Sequence, residues 1–518
     1  MSQCLDLRFA AVAAEQPEAP ALELPGSSGQ GGRTAGFRTI DYRTLDIEVE
    51  EAVSWLRDQG VSPGDRVALL LPKGLAFVVC HLACLRHRAV SVPVNPRSSA
   101  REVAHIVGDA QPALLVSCPE LQDLTQGSGA GKVVCIDPEQ GPTAAAGLDH
   151  DTTGERRAAD GDLACLLYTS GTTGRPKGVM LSHGALAAND AALRRAWEWT
   201  SSDRLLHVLP LFHVHGLFVA LHGALGSGAC CRLLPRFAGA DTWEQLHESR
   251  ATVFMGVPTM YHRLLASAPK PVPELTAMRL FTCGSAPLRS DTLQDFEALT
   301  GQRILERYGM TEVGMACSNP YRGERRAGTV GFDLPGVATR LADVSDRQRA
   351  TDVEDGEVGE VMIRSASLFS GYWDSAAAAA NTPQPQAELL SGWLASGDLG
   401  RRDTEGYLSL VGRAKELIIS GGFNVYPQEI EACLNELPGV AEAAVFGMAD
   451  DDLGELVMAA IVPGQGSPPE PAAALAHCRE QLAHYKCPRQ IVLLDELPRN
   501  AMGKLRRGEL ATACGLGV

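Results

Sequence analysis

Residues 167–183, Leu-Tyr-Thr-Ser-Gly-Thr-Thr-Gly-Arg-Pro-Lys-Gly-Val-Met-Leu-Ser-His, gather hydroxyls, glycines and two cations into one short stretch. Its chemistry-bearing positions are Thr169, Ser170, Gly171, Thr172, Thr173 and Lys177. Glycine lets a backbone come close to a ligand and adopt positive φ. Successive N–H groups in such a turn form a concave anion site, to which hydroxyls and a lysine add donors and charge. That chemistry suits a polyphosphate. The spacing is not G-x-x-x-x-G-K-[ST], and no helix-forming run follows Lys177, so the common phosphate loop is excluded. Gly/Thr/Pro clusters are more often plain surface loops, and the other motifs must decide.

Cys283-Gly-Ser-Ala-Pro-Leu288 sets Gly284, Ser285 and Ala286 at the carboxyl end of an apolar run, where α/β proteins place ligands. Arg307-Tyr-Gly-Met-Thr-Glu312 then offers an aromatic face at Tyr308, a hydroxyl at Thr311 and a carboxylate at Glu312, the hard oxygen ligand that Mg²⁺ takes. His213 and His215, two apart, cannot share a helical face, and no carboxylate lies near them in sequence, which argues against a metal pair. Residue type alone leaves Arg413 and Lys415 as an exposed basic pair at a strand end, and Lys504 as a solvated loop lysine.

The elements that must position these residues alternate. Strands are predicted at 67–71, 89–94, 113–117, 133–137, 163–168, 205–211, 251–255, 279–282 and 303–306. Helices are predicted at 5–14, 42–59, 74–88, 101–110, 217–228 and from about 258. This alternation predicts a parallel α/β organisation. Gly/Ser-rich breaks stand at 26–36 and within 121–162, and an Ala/Pro/Gln-rich loop at 375–389.

A chain of 518 residues is too long for one core. Its net charge of −16 argues against nucleic acid as a partner, since such binders carry basic footprints. The 14 cysteines form no C-x-x-C pair and sit among apolar residues, as reduced thiols of cytosolic proteins do. The N-terminus has neither a basic nor an apolar leader region. The longest apolar stretch, 75–85, is far short of a membrane span. A cytoplasmic protein without membrane insertion is expected.

With Gly356-Glu-Val-Gly-Glu360, Gly371-Tyr-Trp373, Trp393-Leu-Ala-Ser-Gly-Asp398, Gly412-Arg-Ala-Lys-Glu416 and Asn500-Ala-Met-Gly-Lys504 following in order, the chain resembles the adenylate-forming enzymes over about residues 40–508. These include acyl-CoA synthetases, luciferases and peptide-synthetase adenylation domains. The resemblance implies a large multi-layer N-terminal α/β domain, 1–412, which binds acid and ATP. A small mobile α+β domain, 413–518, would pivot at Lys415 and carry the catalytic Lys504. Thr169, Ser170, Gly171, Thr172, Thr173 and Lys177 would hold the ATP phosphates, and Gly284, Ser285 and Ala286 the adenine. Arg307, Tyr308, Gly309, Met310, Thr311 and Glu312 would line the nucleotide, with Glu312 holding Mg²⁺. Asp398 and Arg413 would take the ribose. Lys504, Glu312, Thr172 and His213 form the implied catalytic set, and Gly421 and Gly422 border the CoA channel. Cys283 stands where the family commonly has Gly or Ser.

The nearest resemblance within the family is to malonyl-CoA synthetases, carried by 210–218, 257–263, 307–312 and 318–330. Malonate, with methylmalonate, is therefore the expected acid, beside ATP and coenzyme A. The acid pocket would be lined by His213, Ser285 and Met310. A second carboxylate needs a bidentate arginine, and Arg263 and Arg289 are the candidates, while Arg307 is expected to support the nucleotide. A CoA ligase for a medium-chain or coumarate-like acid is the alternative, and a non-catalytic adenylate-binding protein a further one. Monomer and homodimer both stay open.

Overall fold

The computed structural model describes residues 4–26, 36–142, 158–169, 176–346, 348–349, 351–354, 356–379, 386–387, 389–464, 469–499 and 505–516. Two compact units divide the chain, one made of Met1–Ala338 and Arg364–Leu389, the other of Thr339–Ile363 and Leu390–Val518. The expected boundary at 412/413 falls inside the second unit, at the end of strand Leu408–Arg413.

Two large sheets build the first unit. In one, Leu305–Met310, Leu280–Cys283, Val253–Gly256, Arg204–His207 and Cys230–Leu233 run parallel side by side. These strands are almost continuously buried, as parallel strands covered on both faces must be. Behind them Phe254, Tyr261, Phe281 and Phe296 pack edge to face, with ring centroids 5.0 Å apart for Phe281–Phe296 and 5.2 Å for Tyr261–Phe296. Tyr261 donates its hydroxyl to the Thr282 carbonyl at 2.6 Å, which fixes the strand end just ahead of Gly284.

The other sheet runs Gly371–Tyr372, Lys177–Ser182, Leu163–Thr169, Val90–Pro93, Arg66–Leu69, Leu114–Ser117 and Val133–Cys135. Leu163–Thr169 and Lys177–Ser182 form an antiparallel hairpin with Thr169 opposite Lys177. Ser182 ends that hairpin and caps helix His183–Ala196 by accepting from Ala185 N at 3.2 Å.

Most expected elements form within a few residues of their predicted bounds. The expected strand 205–211 stops at His207, ahead of Pro210. The expected helix 217–228 is a π-helical segment, His215–Leu221, continuing as α-helix His222–Gly226. Gly216 explains the irregular start, because a Cβ there would lie 2.0 Å from the Pro210 carbonyl oxygen. The strand expected at 303–306 extends through Met310, so Arg307-Tyr-Gly-Met is strand rather than loop. Sequence reading missed the edge hairpin Pro20–Pro25/Phe37–Asp41, which adds to Cys230–Leu233.

In the second unit, Val337–Ala342, Gly359–Ser365, Leu394–Arg402 and Leu408–Arg413 form a four-stranded sheet. A further sheet comprises Phe423–Val425, Ile418–Ser420, Gly454–Pro463, Val440–Asp450 and Gln490–Leu493. One apolar cluster lies against helices Pro427–Asn435 and Pro471–Gln481, and another holds Leu497 and Leu510. No helix among the described residues is long and apolar enough to cross a membrane.

Candidate active site

In the first unit, Lys177 leaves the hairpin with Nζ 5.4 Å from the Tyr372 ring centroid. Tyr372 sits on the edge strand paired to that hairpin, opposite Val179. Its hydroxyl donates to Glu312 Oε1 at 2.9 Å, and Phe369 N donates to the Glu312 carbonyl at 2.8 Å. Burial, and then the Glu312 charge, push the Tyr372 phenol above its ordinary value and keep it a donor. Lys177 and Glu312, 135 residues apart by number, thus face one aromatic side chain. Ser170, Gly171, Thr172 and Thr173 lie outside the described residues; Thr169 and Lys177 mark the two ends of their loop.

Glu312 lies in the turn between Leu305–Met310 and Gly314–Ser318. Asn189 clamps that turn from the neighbouring helix, donating to the Met315 carbonyl at 2.8 Å and accepting from Met315 N at 3.1 Å. Gly314 makes room, since a Cβ there would lie 2.5 Å from Asn189 Oδ1. Tyr308 is buried, and Met310 and Thr311 are half-buried at the strand's end. His213 is half-buried beside the Phe212 ring.

At the 284–286 turn, Ser285 holds φ +72°, a backbone state that non-glycine residues seldom take outside functional turns. Gly284 lies against Arg307, and a Cβ there would come within 2.5 Å of its guanidinium carbon. The pairing of Cys283 with Glu306 sets the two side by side. Arg307 is 3% exposed, and its Nε and Nη2 find no hydrogen-bond partner among the described residues. Burial pushes the guanidinium down to about 10. His215 is likewise buried with neither ring nitrogen partnered among the described residues, and burial, then the Arg307 charge, drive its pKa down. Buried polar groups of this kind ordinarily have a partner, supplied by protein, water or ligand.

Neither arginine expected to bind a second carboxylate has such a setting. Arg263 stands exposed in the last turn of helix Pro258–Ala266. Arg289 precedes helix Ser290–Thr300 and pairs with Asp291 at 2.7 Å.

In the second unit, Asp398 and Arg413 face each other across adjacent antiparallel strands, with Arg413 Nε 3.1 Å from Asp398 Oδ1. Glu360, on the other neighbouring strand, steadies the residue before Asp398 by accepting from Gly397 N at 3.0 Å. Lys415 lies in the single turn Ala414–Glu416 that follows. Gly421 and Gly422, at φ +58° and +79°, form the two-residue turn between Ile418–Ser420 and Phe423–Val425, a geometry that favours glycine. Lys504 lies outside the described residues.

Tyr372 and Asn189 were not foreseen as functional residues. The Gly371-Tyr-Trp373 motif marked the first without giving it a role, and nothing in the sequence marked the second.

Residues 9–373 match the AMP-binding enzyme family and residues 429–504 the AMP-binding enzyme C-terminal domain. The chain belongs to the AMP-binding, adenylate-forming enzymes, and its large and small α/β parts are theirs. Among similar proteins, malonate–CoA ligase of Arabidopsis thaliana is 35% identical over 491 residues, 87% of this chain and 78% of that one. Indoleacetate–CoA ligase of Aromatoleum aromaticum is 34% identical over 474 residues, 89% of this chain and 91% of that one. The crystal structure of ATP-bound MatB from Rhodopseudomonas palustris matches with a TM-score of 0.84 at 36% identity, covering 98% of both chains.

Proposed function

We propose that this chain is an AMP-forming acid–CoA ligase whose acid is malonate. A carboxylate oxygen of malonate attacks the α-phosphorus of ATP, forming the acyl–phosphate bond as the bond to pyrophosphate breaks. The CoA thiolate then attacks the acyl carbon, the C–S bond forms, and AMP leaves. Neither step needs a protein nucleophile, so catalysis is positioning and charge neutralisation.

Lys504 bridges the incoming carboxylate and the α-phosphate. Thr169, Ser170, Thr172, Thr173 and Lys177 hold the outer phosphates, and Gly284, Ser285, Ala286 and Tyr308 the base. Asp398 accepts from the ribose hydroxyls, with Arg413 beside it. The 413–518 piece then turns about Lys415 and exchanges Lys504 for the Gly421–Gly422 face, along which CoA enters.

Mg²⁺ fits Glu312, a hard oxygen donor oriented by Tyr372. No cluster of three metal-binding side chains occurs among the described residues, so its other ligands would be phosphate oxygens and water. When bound, it neutralises phosphate charge.

The relatives named above act on malonate and on indoleacetate, so the acid must be argued from the pocket. The observation that carries malonate is Arg307. An unmatched buried charge costs several kcal/mol, and a second carboxylate beside the reacting one supplies its counter-charge and two acceptors. A neutral acyl chain would leave it unmatched. On this reading Arg307 serves the acid rather than the nucleotide, with His215 as a second donor.

The test is pyrophosphate release with ATP and Mg²⁺ across malonate, methylmalonate, acetate, octanoate and 4-coumarate, with and without CoA. Turnover with malonate, lost in Arg307→Ala and kept in Arg263→Ala and Arg289→Ala, is the expected result. Preference for a monocarboxylate overturns the substrate and leaves the ligase chemistry standing.

A further inference from the structure

Arg507 lies three residues beyond Lys504, in the single turn Arg507–Glu509. Its side chain is 14% exposed. Nε lies 3.0 Å from Glu416 Oε2, and Nη1 donates to both Glu431 Oε1 and the Val445 carbonyl. Glu431, on helix Pro427–Asn435, also accepts from Val445 N at 2.8 Å. One guanidinium thus joins the turn that holds Lys415, the helix that follows it and the edge strand Val440–Asp450.

The described residues on either side of 500–504 are tied together. Arg499 bridges Leu505, and Arg506 N donates to the Pro498 carbonyl at 2.8 Å. Leu497 and Leu510 are buried against Ala444, Phe446 and Met458. Arg507 is the polar anchor on the side that follows Lys504 in sequence.

Resting on the adenylation role given to Lys504, we propose that Arg507 is a positioning residue. It struts the stretch Leu505–Arg507, which directly follows Lys504 in sequence, against Glu416 beside the Lys415 pivot, so that turning at the pivot carries this stretch with it. An ion pair buried this deeply contributes little net stability compared with an apolar replacement, whereas it fixes direction: the planar fork reaches Glu416 and Glu431 at once. Lysine at 507 keeps the charge and loses the fork.

The experiment uses the full chain and separates the half-reactions. Adenylation is read as malonate-dependent pyrophosphate release without CoA, and thioester formation as CoA consumption from preformed malonyl-adenylate. Variants are Arg507→Lys, Glu416→Gln, their double and Lys504→Ala. Arg506→Ala, whose ion pair is the exposed one with Glu509, serves as the surface control.

Arg507→Lys and Glu416→Gln should each slow adenylation about tenfold or more, because misplacing a reacting group by ~1 Å costs up to 10²-fold. KM for ATP, the melting temperature and the thioester half-reaction should stay near wild type, and the double variant should be no worse than the worse single. Equal losses in both half-reactions, additive losses, or losses that track melting temperature reduce Arg507 to a structural ion pair and overturn the inference. Lys504→Ala separates the two layers. Normal adenylation without that lysine removes the reading on which the strut rests, whereas a dead Lys504→Ala beside an active Arg507→Lys sinks the strut alone.

Discussion

Replacing Arg307 with methionine should make the ligand-free protein more stable while abolishing its use of malonate. Methionine keeps an unbranched stem of similar reach and removes the charge. The guanidinium is pushed down to about 10 by burial, which corresponds to roughly 3 kcal/mol by which the fold disfavours the charged group. Part of that gain is lost in imperfect packing, leaving ~1–3 kcal/mol and a rise of several degrees in melting temperature. With malonate bound the balance reverses. The second carboxylate then loses its partner inside the protein, a loss of about 3–5 kcal/mol, so malonate kcat/KM should fall by ~10² to 10⁴-fold. Acetate brings no second carboxylate, and its kcat/KM should hold or rise. The assays are thermal melting without ligand and pyrophosphate release with each acid. A melting temperature that drops with activity would make Arg307 a structural support. Equal losses for malonate and acetate would return it to the nucleotide. Either result refutes the reasoning.

Tyr372→Phe removes the hydroxyl that orients Glu312. Tyr372 is 40% exposed, so the hydrogen bond is worth only about 1 kcal/mol, or roughly fivefold in kcat/KM. Half-saturation by Mg²⁺ in the pyrophosphate assay should rise with it, and an unchanged Mg²⁺ dependence would count against the arrangement. Glu306→Gln tests a buried carboxyl pushed by burial from 4.5 up to about 7. Between those values the native state keeps a proton that the unfolded chain has released, so stability is full below about pH 4.5 and falls as pH rises through 7. The glutamine variant should flatten that slope, matching wild type near pH 4.5 and exceeding it at pH 8 by up to about 3 kcal/mol in urea unfolding. The same difference at both pH values would show that the carboxyl is not the source.

Much of the candidate site was marked out in the sequence because its residues lie in short contiguous runs. Residues 284–286, 307–312 and 413–415 each combine chemistry-bearing types that local folding alone brings together, and 169–177 does so in sequence. What the sequence hid depends on pairing between distant segments. Tyr372 reaches Glu312 because its short strand adds to the 177–182 hairpin. Asn189 reaches Met315 across a separation of 126 residues. The edge strand Pro20–Pro25 finds its place only beside Cys230–Leu233. The arginine candidates failed for a local reason that was visible in advance. Arg289 has Asp291 two positions on, in the first turn of the helix that it precedes, and that neighbour satisfies it.

Arg307 carried a signal of its own. It follows Glu306 in the strand Leu305–Met310, whose first four residues are all buried. Charged residues are seldom fully buried unless paired, and neighbours on a strand point to opposite faces. Glu306 and Arg307 therefore cannot neutralise each other, and each must be answered on its own face. Gly328 N answers Glu306 Oε1 at 3.0 Å. For Arg307 no described residue answers Nε or Nη2. A buried strand that carries adjacent opposite charges therefore calls for two partners, and a partner that the protein does not supply is one that a carboxylate substrate can.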